Sequence, residues 1–270
     1  MPEPLRPARR DLLAAAFAAS AAALLPARAG AQEADPPLDP RLTVEPVTFQ
    51  PRRQIFKGQL VRLRQGGRRP GILLLHDLRG VDAFWRGLAR RLALDGFVVL
   101  LPDLLSPYGA TTPETAEEAQ NQLARTAPAE IAFTLEAALD LLARHPECTG
   151  AVGAWGFVWG GPYALQFALA GRVKAAVSYY AVPPSADRMV EVKVPVQFHW
   201  CENDPRTAPL VDALEKRLIG AGKSFESWVY PETQSGFASE PAGRRWNKAA
   251  ADRAYDRSVF FLRRTLVTGP

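Results

Sequence analysis

The chain has 270 residues, 47% apolar and 23% charged, an ordinary globular balance that excludes a disordered chain, a collagen-like repeat and a coiled coil. Lys and Arg number 33 against 28 Asp and Glu, a net charge of +5, but no basic stripe or aromatic–basic interleaving accompanies it, so no nucleic-acid partner is indicated. Two cysteines and three histidines exclude a disulfide scaffold and a four-cysteine zinc site, and neither metal nor cofactor is implied.

Residues 1–31 read as an export signal peptide. Arg9 and Arg10 precede an alanine- and leucine-rich run from Leu12 to Leu25, and Ala29-Gly30-Ala31 forms a small-x-small cleavage site before Gln32. The paired arginines resemble a twin-arginine signal; an ordinary secretory signal and a short anchor are the alternatives. The run is shorter than the roughly 20 residues that cross a bilayer. The mature protein is therefore expected to lack a membrane span and to reside outside the cytoplasm, in the periplasm of a Gram-negative cell. Residues 32–42, rich in Pro and Asp, read as a linker, and residues 43–270 as one domain.

Thr43–Phe49 and Gln54–Arg64 have the alternation of amphipathic strands. Gly71–His76 is a short apolar run, as in a strand buried on both faces. A helix over Asp82–Leu94 places Phe84, Trp85, Leu88, Leu92 and Leu94 on one side. Phe97–Leu101 is a buried strand that Pro102 ends. Ala129–Arg144 has helical spacing through Ile131, Leu135, Ala138 and Leu142. Then come a strand at Ala151–Trp155, a helix at Gly161–Ala170, strands at Val173–Tyr179 and Val194–Trp200, a helix at Pro209–Ile219, a strand at Ser224–Tyr230 and a closing helix at Arg245–Leu266. Strands that alternate with helices imply right-handed crossovers and an α/β fold with a mostly parallel sheet. In such sheets ligands sit outside the carboxyl ends of the strands.

Five segments carry a family resemblance: Gly71-Ile-Leu-Leu-Leu-His-Asp-Leu-Arg-Gly80, Asp95-Gly-Phe-Val-Val-Leu-Leu-Pro-Asp103, Gly156-Phe-Val-Trp-Gly-Gly161, Tyr179-Tyr180, and Val194-Pro-Val-Gln-Phe-His-Trp-Cys-Glu-Asn-Asp204. In this order they resemble the dienelactone hydrolases over about residues 55–265. The resemblance implies an α/β-hydrolase fold, a mostly parallel central sheet with helices on both faces. It also implies a nucleophile in a Gly-x-Ser/Cys-x-Gly turn between strand and helix. That position holds Val158, which has no lone pair with which to attack. The acid position matches Asp204. The base position, a His in the family, holds Ser235 in Gln234-Ser-Gly-Phe237, and a serine hydroxyl cannot serve as a general base near neutral pH. The oxyanion hole, built from backbone N–H groups, maps to Leu78 and Trp159. Asp77 matches an acidic residue that lies near the thiol in the family.

Other residues at the expected pocket have two readings each. Trp159 and Trp200 either line an aromatic pocket or pack the core. Cys201 is either a displaced thiol nucleophile paired with His76 or a small buried hydrophobe. His199 reads as a satisfied core histidine and His145 as a cation at a helix C-terminus. Cys148 and Cys201 should lie at opposite edges of the sheet, beyond the reach of a disulfide. The reading is thus an exported, catalytically degenerate family member that binds a small aromatic or anionic molecule or a protein partner. The alternative is an active ester or lactone hydrolase using rearranged groups. If Asp204 is correctly placed, Val158→Cys with Ser235→His should restore some hydrolysis.

Overall fold

Successive side chains on a strand point to opposite faces, so a strand covered on both sides must be apolar throughout. Five such strands form the centre of this molecule. The computed structural model describes residues 37–109 and 113–267. The export segment and residues 32–36 of the linker lie outside the described residues. The rest of the linker turns directly into the sheet: Arg41 pairs with Asp39, and the first strand begins at the buried Leu42.

The strands are β1 (Leu42–Phe49), β2 (Phe56–Leu63), β3 (Arg69–Leu75), β4 (Val98–Asp103), β5 (Cys148–Phe157), β6 (Ala175–Tyr179), β7 (Val196–Cys201) and β8 (Phe225–Tyr230). Among the described residues they form one eight-stranded sheet in the order β1-β2-β4-β3-β5-β6-β7-β8. β1 pairs antiparallel with β2, and β2 with β4; β3 to β8 are parallel. Pro102 does not end its strand as expected. It pairs with Gly58 in the antiparallel ladder, where a Cβ on Gly58 would stand 2.8 Å from the Leu101 carbonyl oxygen.

The helices are α1 (Ala83–Leu94), α2 (Pro113–Arg125), α3 (Pro128–Ala143), α4 (Gly161–Ala170), the single turn α5 (Ala186–Met189), α6 (Val211–Gly220) and α7 (Lys248–Val267). One apolar layer joins Leu73, Leu75, Ala154 and Phe198 to α3, α4 and α6. The other joins Ile72, Leu74, Trp155 and Tyr179 to α1 and α7. Asp82 caps α1 by accepting the Trp85 N–H. The helix buries Trp85, Leu88 and Leu92 but leaves Leu94 exposed, two residues past Leu92 and so off the buried stripe. α2 and α5 were not expected from sequence, although Pro113 at the first turn and the Glu-, Ala- and Gln-rich run behind it are helix signals.

The cysteines lie neither at the sheet edges nor close together. Cys148 opens the central β5 and Cys201 closes β7, in the two opposite apolar layers, and both are free thiols. His145 follows the C-terminus of α3, where its Nδ1 accepts the Glu147 N–H at 3.2 Å. No helix of the described residues is long and apolar enough to cross a membrane.

His199 is a buried, satisfied core histidine. Its Nδ1 lies 2.8 Å from the Tyr230 hydroxyl and its Nε2 2.8 Å from Gln197 Oε1, and its ring stacks on Tyr179. Gln197 can only accept through Oε1, so Nε2 carries the proton and Nδ1 accepts from Tyr230. Burial, reinforced by Arg257, holds the imidazole pKa well below its ordinary 6.5. The unfolded chain therefore takes up this proton first as pH falls. Stability should be kept above about pH 6.5 and lost below it, by up to about 1.4 kcal/mol per pH unit. Denaturant titrations at pH 7 and pH 5 should show this loss, and His199→Gln should flatten it.

Candidate active site

The β5–α4 turn is shaped by three glycines. A Cβ on Gly156 would stand 2.3 Å from the Gly160 carbonyl oxygen, and one on Gly160 2.6 Å from that of Leu75. A Cβ on Gly161 would stand 2.3 Å from the Ala181 Cβ. Strand, turn and helix thus approach too closely for any side chain at these positions. β5 must reverse into α4 within three residues, and Val158 takes up the strain at φ 45°. For a β-branched residue this is a true outlier, costing about 1–3 kcal/mol. The Val158 N–H donates to Tyr179 O at 3.0 Å, and that of Gly160 to Phe157 O at 2.7 Å. The strained turn is therefore present, with an isopropyl group where a nucleophile would stand.

Asp204 follows β7, and its side chain is only 2% exposed. Arg206 clamps it: the backbone N–H and Nε donate to Oδ1 at 3.0 and 3.1 Å, and Nη2 to Oδ2 at 2.7 Å. The same Nη2 donates to Ser235 Oγ at 3.0 Å. One guanidinium therefore joins the acid and base positions and stands where an imidazole would lie between them. Asp77 is held alike, by the Arg79 N–H at 2.9 Å and by Nη2 at 2.6 Å. Both carboxylates of the site thus have a permanent cation two residues downstream that donates to both of their oxygens.

His76 is not a pocket residue. It is 1% exposed, its Nε2 accepts the Leu104 N–H at 3.1 Å, and its Nδ1 contacts the Asp77 carbonyl oxygen, which requires the proton on Nδ1. With both nitrogens engaged it cannot serve as a base. Cys201 is fully buried; burial, helped by the charge of Asp204, pushes its thiol well above the usual range. Burial also raises Cys148. A displaced thiolate has no support at either position. Trp200 packs parallel to Phe198 in the α3/α4 layer and donates from Nε1 to Ser227 Oγ at 2.8 Å, so it is core. Trp159 is buried edge-on to Tyr163.

Three features give the site an anion-receptive character. The backbone N–H groups of Leu78 and Trp159 have no acceptor among the described residues. Tyr180 follows β6 at φ 36°, and its hydroxyl, likewise unpartnered, lies within the fields of Cys201, Asp77, Arg79 and Arg245. Arg245 packs its guanidinium carbon 3.6 Å from where a Gly236 Cβ would stand, next to Ser235, and has no ion-pair partner among the described side chains. Sequence reasoning missed Arg206, Tyr180 and Arg245 as site residues. Arg206 had a signal, a cation two residues beyond the acid position; Tyr180 was visible in a family motif without a role; Arg245 is distant in sequence and had none. Among the described residues no group of three or more His, Cys, Asp or Glu could hold a metal ion.

The model of the dienelactone hydrolase family matches residues 56–266. The chain belongs to this family. It is 30% identical over 210 residues to a carboxymethylenebutenolidase of Rhodococcus opacus, covering 73% of this chain and 82% of that one. It is 31% identical over 208 residues to a carboxymethylenebutenolidase of Pseudomonas putida, covering 72% and 85%. A putative dienelactone hydrolase from Klebsiella pneumoniae superposes with a TM-score of 0.71 at 21% identity, over 82% of this chain and 98% of that one. A dienelactone hydrolase-like promiscuous phosphotriesterase from metagenomic libraries does so with 0.67 at 20%, over 83% and 99%. These superpositions bear on the fold alone. Within this family fold, Arg206 also alters the expected effect of rebuilding the triad. Val158→Cys with Ser235→His leaves Asp204 held by the guanidinium, so the pair alone lacks an orienting acid.

Removing one partner of a buried ion pair strands the other charge. Arg206→Ala is expected to destabilise the protein by about 3–5 kcal/mol, whereas Asp204→Asn combined with Arg206→Ala should cost less than the two single changes added together. Equilibrium urea unfolding of the three variants measures this.

Proposed function

We propose that this protein is a catalytically degenerate dienelactone-hydrolase-like protein that holds a small anionic molecule at the former nucleophile turn without cleaving it. The observation that carries this reading is the Arg206 bridge from Asp204 to Ser235. It occupies the place of a general base at a turn whose nucleophile position is valine. Acyl transfer needs nucleophile, base and acid to act as one unit, and two of the three are missing while the third is bound elsewhere.

The chemistry that remains suits binding. The Leu78 and Trp159 amides, the Tyr180 hydroxyl and Arg245 are donors without acceptors among the described residues, and a carboxylate or similar oxyanion is the chemistry that suits such donors. The carboxymethylenebutenolidase activity in the relatives' names stays with the relatives. Export belongs to the same proposal: the protein works outside the cytoplasm after cleavage near Gln32. N-terminal sequencing of the secreted protein should begin there, and an intact Met1 on cytoplasmic protein would exclude it.

For the reaction, the expected outcome is no turnover of activated esters or lactones above the uncatalysed rate. Val158→Cys with Ser235→His should remain inactive. Adding Arg206→Ala should release Asp204 to an imidazole at position 235 and produce measurable ester hydrolysis. Robust turnover by the natural protein would overturn the reading.

A further inference from the structure

Among the described residues the sheet ends on β1 and β8. An open strand edge invites pairing with another chain, and proline or lysine within the strand discourages it. β1 is guarded by Pro46 near its centre. β8, Phe225-Glu-Ser-Trp-Val-Tyr230, holds neither residue. The Ser224 and Tyr230 carbonyls accept the Val196 and Glu202 N–H groups at 3.3 and 3.2 Å, so the even-numbered residues turn their backbone toward β7. Backbone direction alternates along a strand. The N–H and C=O groups of Phe225, Ser227 and Val229 therefore point away from the sheet, and among the described residues no strand pairs with them.

The side chains supply a register. Phe225 packs on the α3/α4/α6 face, Ser227 Oγ accepts from Trp200 there, and Val229 follows on that face, 49% exposed. Glu226 and Trp228 lie on the α7 face. Glu226 binds Arg264 at 2.6 Å. The Arg257 guanidinium lies 3.8 Å over the Trp228 ring and has no carboxylate partner among the described residues. We infer that β8 is the contact between two copies of this chain, paired antiparallel about a two-fold axis that passes Ser227 normal to the sheet. Such an axis keeps each face continuous, so opposed residues share a face. Phe225 then opposes the partner's Val229, an apolar pair made twice. Glu226 opposes the partner's Trp228 and lies between its own Arg264 and the partner's Arg257, which gains a carboxylate. All three outward-facing residues exchange hydrogen bonds, and Pro231, with no N–H to give, falls one step beyond the ladder. An axis at Val229 would instead set Pro231 against Ser227 and leave Phe225 unpaired.

Sedimentation velocity of the purified protein across the micromolar range tests this, and a concentration-dependent dimer is expected. Val229→Pro removes an N–H that the β7 ladder does not use and should weaken the dimer by about tenfold or more. Arg257→Glu, which faces the partner's Glu226 with a like charge, should weaken it too. Both variants should keep the circular dichroism of the natural protein. Ser227→Cys should give a disulfide-linked dimer under mild oxidation, because opposed Cα atoms of such a pair lie about 5.5 Å apart and both native thiols are buried. Val229→Cys, opposite Phe225, should not. A monomer at every concentration would overturn the inference. So would a dimer that persists in either folded variant, or one in which Ser227→Cys does not cross-link. A dimer found only while residues 1–31 are attached would place that segment on the edge instead of a second β8.

Discussion

The close packing of β3, β5 and α4 at three side-chain-free positions is the constraint from which the rest of the site follows. The ladder aligns Leu75 with Gly156, and the carbonyls of Leu75 and His76 occupy the space that a Gly160 Cβ would need. With the strand and helix that close, the connecting residue must take a positive φ. Val158 takes it although valine is among the residues least suited to it. The turn is thus maintained by packing between backbone segments, independently of any nucleophile it might present. The strain persists because relaxing it would require β5 and α4 to separate.

Electrostatics then decide what the turn can do. A buried carboxylate needs a partner, and in a hydrolase of this fold a histidine supplies one while remaining free to exchange protons. Here Arg206 supplies it, and a guanidinium does not release a proton in a protein. The guanidinium satisfies the buried acid with fixed donors to both of its oxygens. The Asp77–Arg79 pair repeats the arrangement across the site.

The two apolar layers have different characters. The α3/α4/α6 layer is mostly aliphatic. The α1/α7 layer concentrates the aromatic side chains of β5 and β6 around a polar core at His199, whose partners include Ser258 and Tyr230. Large flat rings on neighbouring strands, held upright by the pleat, leave an open cavity beneath Trp246. Membership in the family does not by itself determine which surface of the fold functions.

The α/β alternation, the buried strands and the turn were legible in the sequence, because each is written in local patterns: apolar runs of strand length, helical spacing through Ile131 to Leu142, and the glycines around Val158. The same locality exposed the substitutions at Val158 and Ser235. Element ends were less legible, as at Pro102, where pairing with Gly58 across the sheet overrides the local signal to stop. The site depended on distance in space. That Arg206 reaches both Asp204 and Ser235, that Arg245 lies beside Gly236, and that His76 and Cys201 face the interior all depend on how the sheet's carboxyl ends converge. Sequence by itself determined which residues stand at the three triad positions; only the tertiary structure decided which partners they have, because side-chain partners are selected by proximity between segments that the chain order keeps apart.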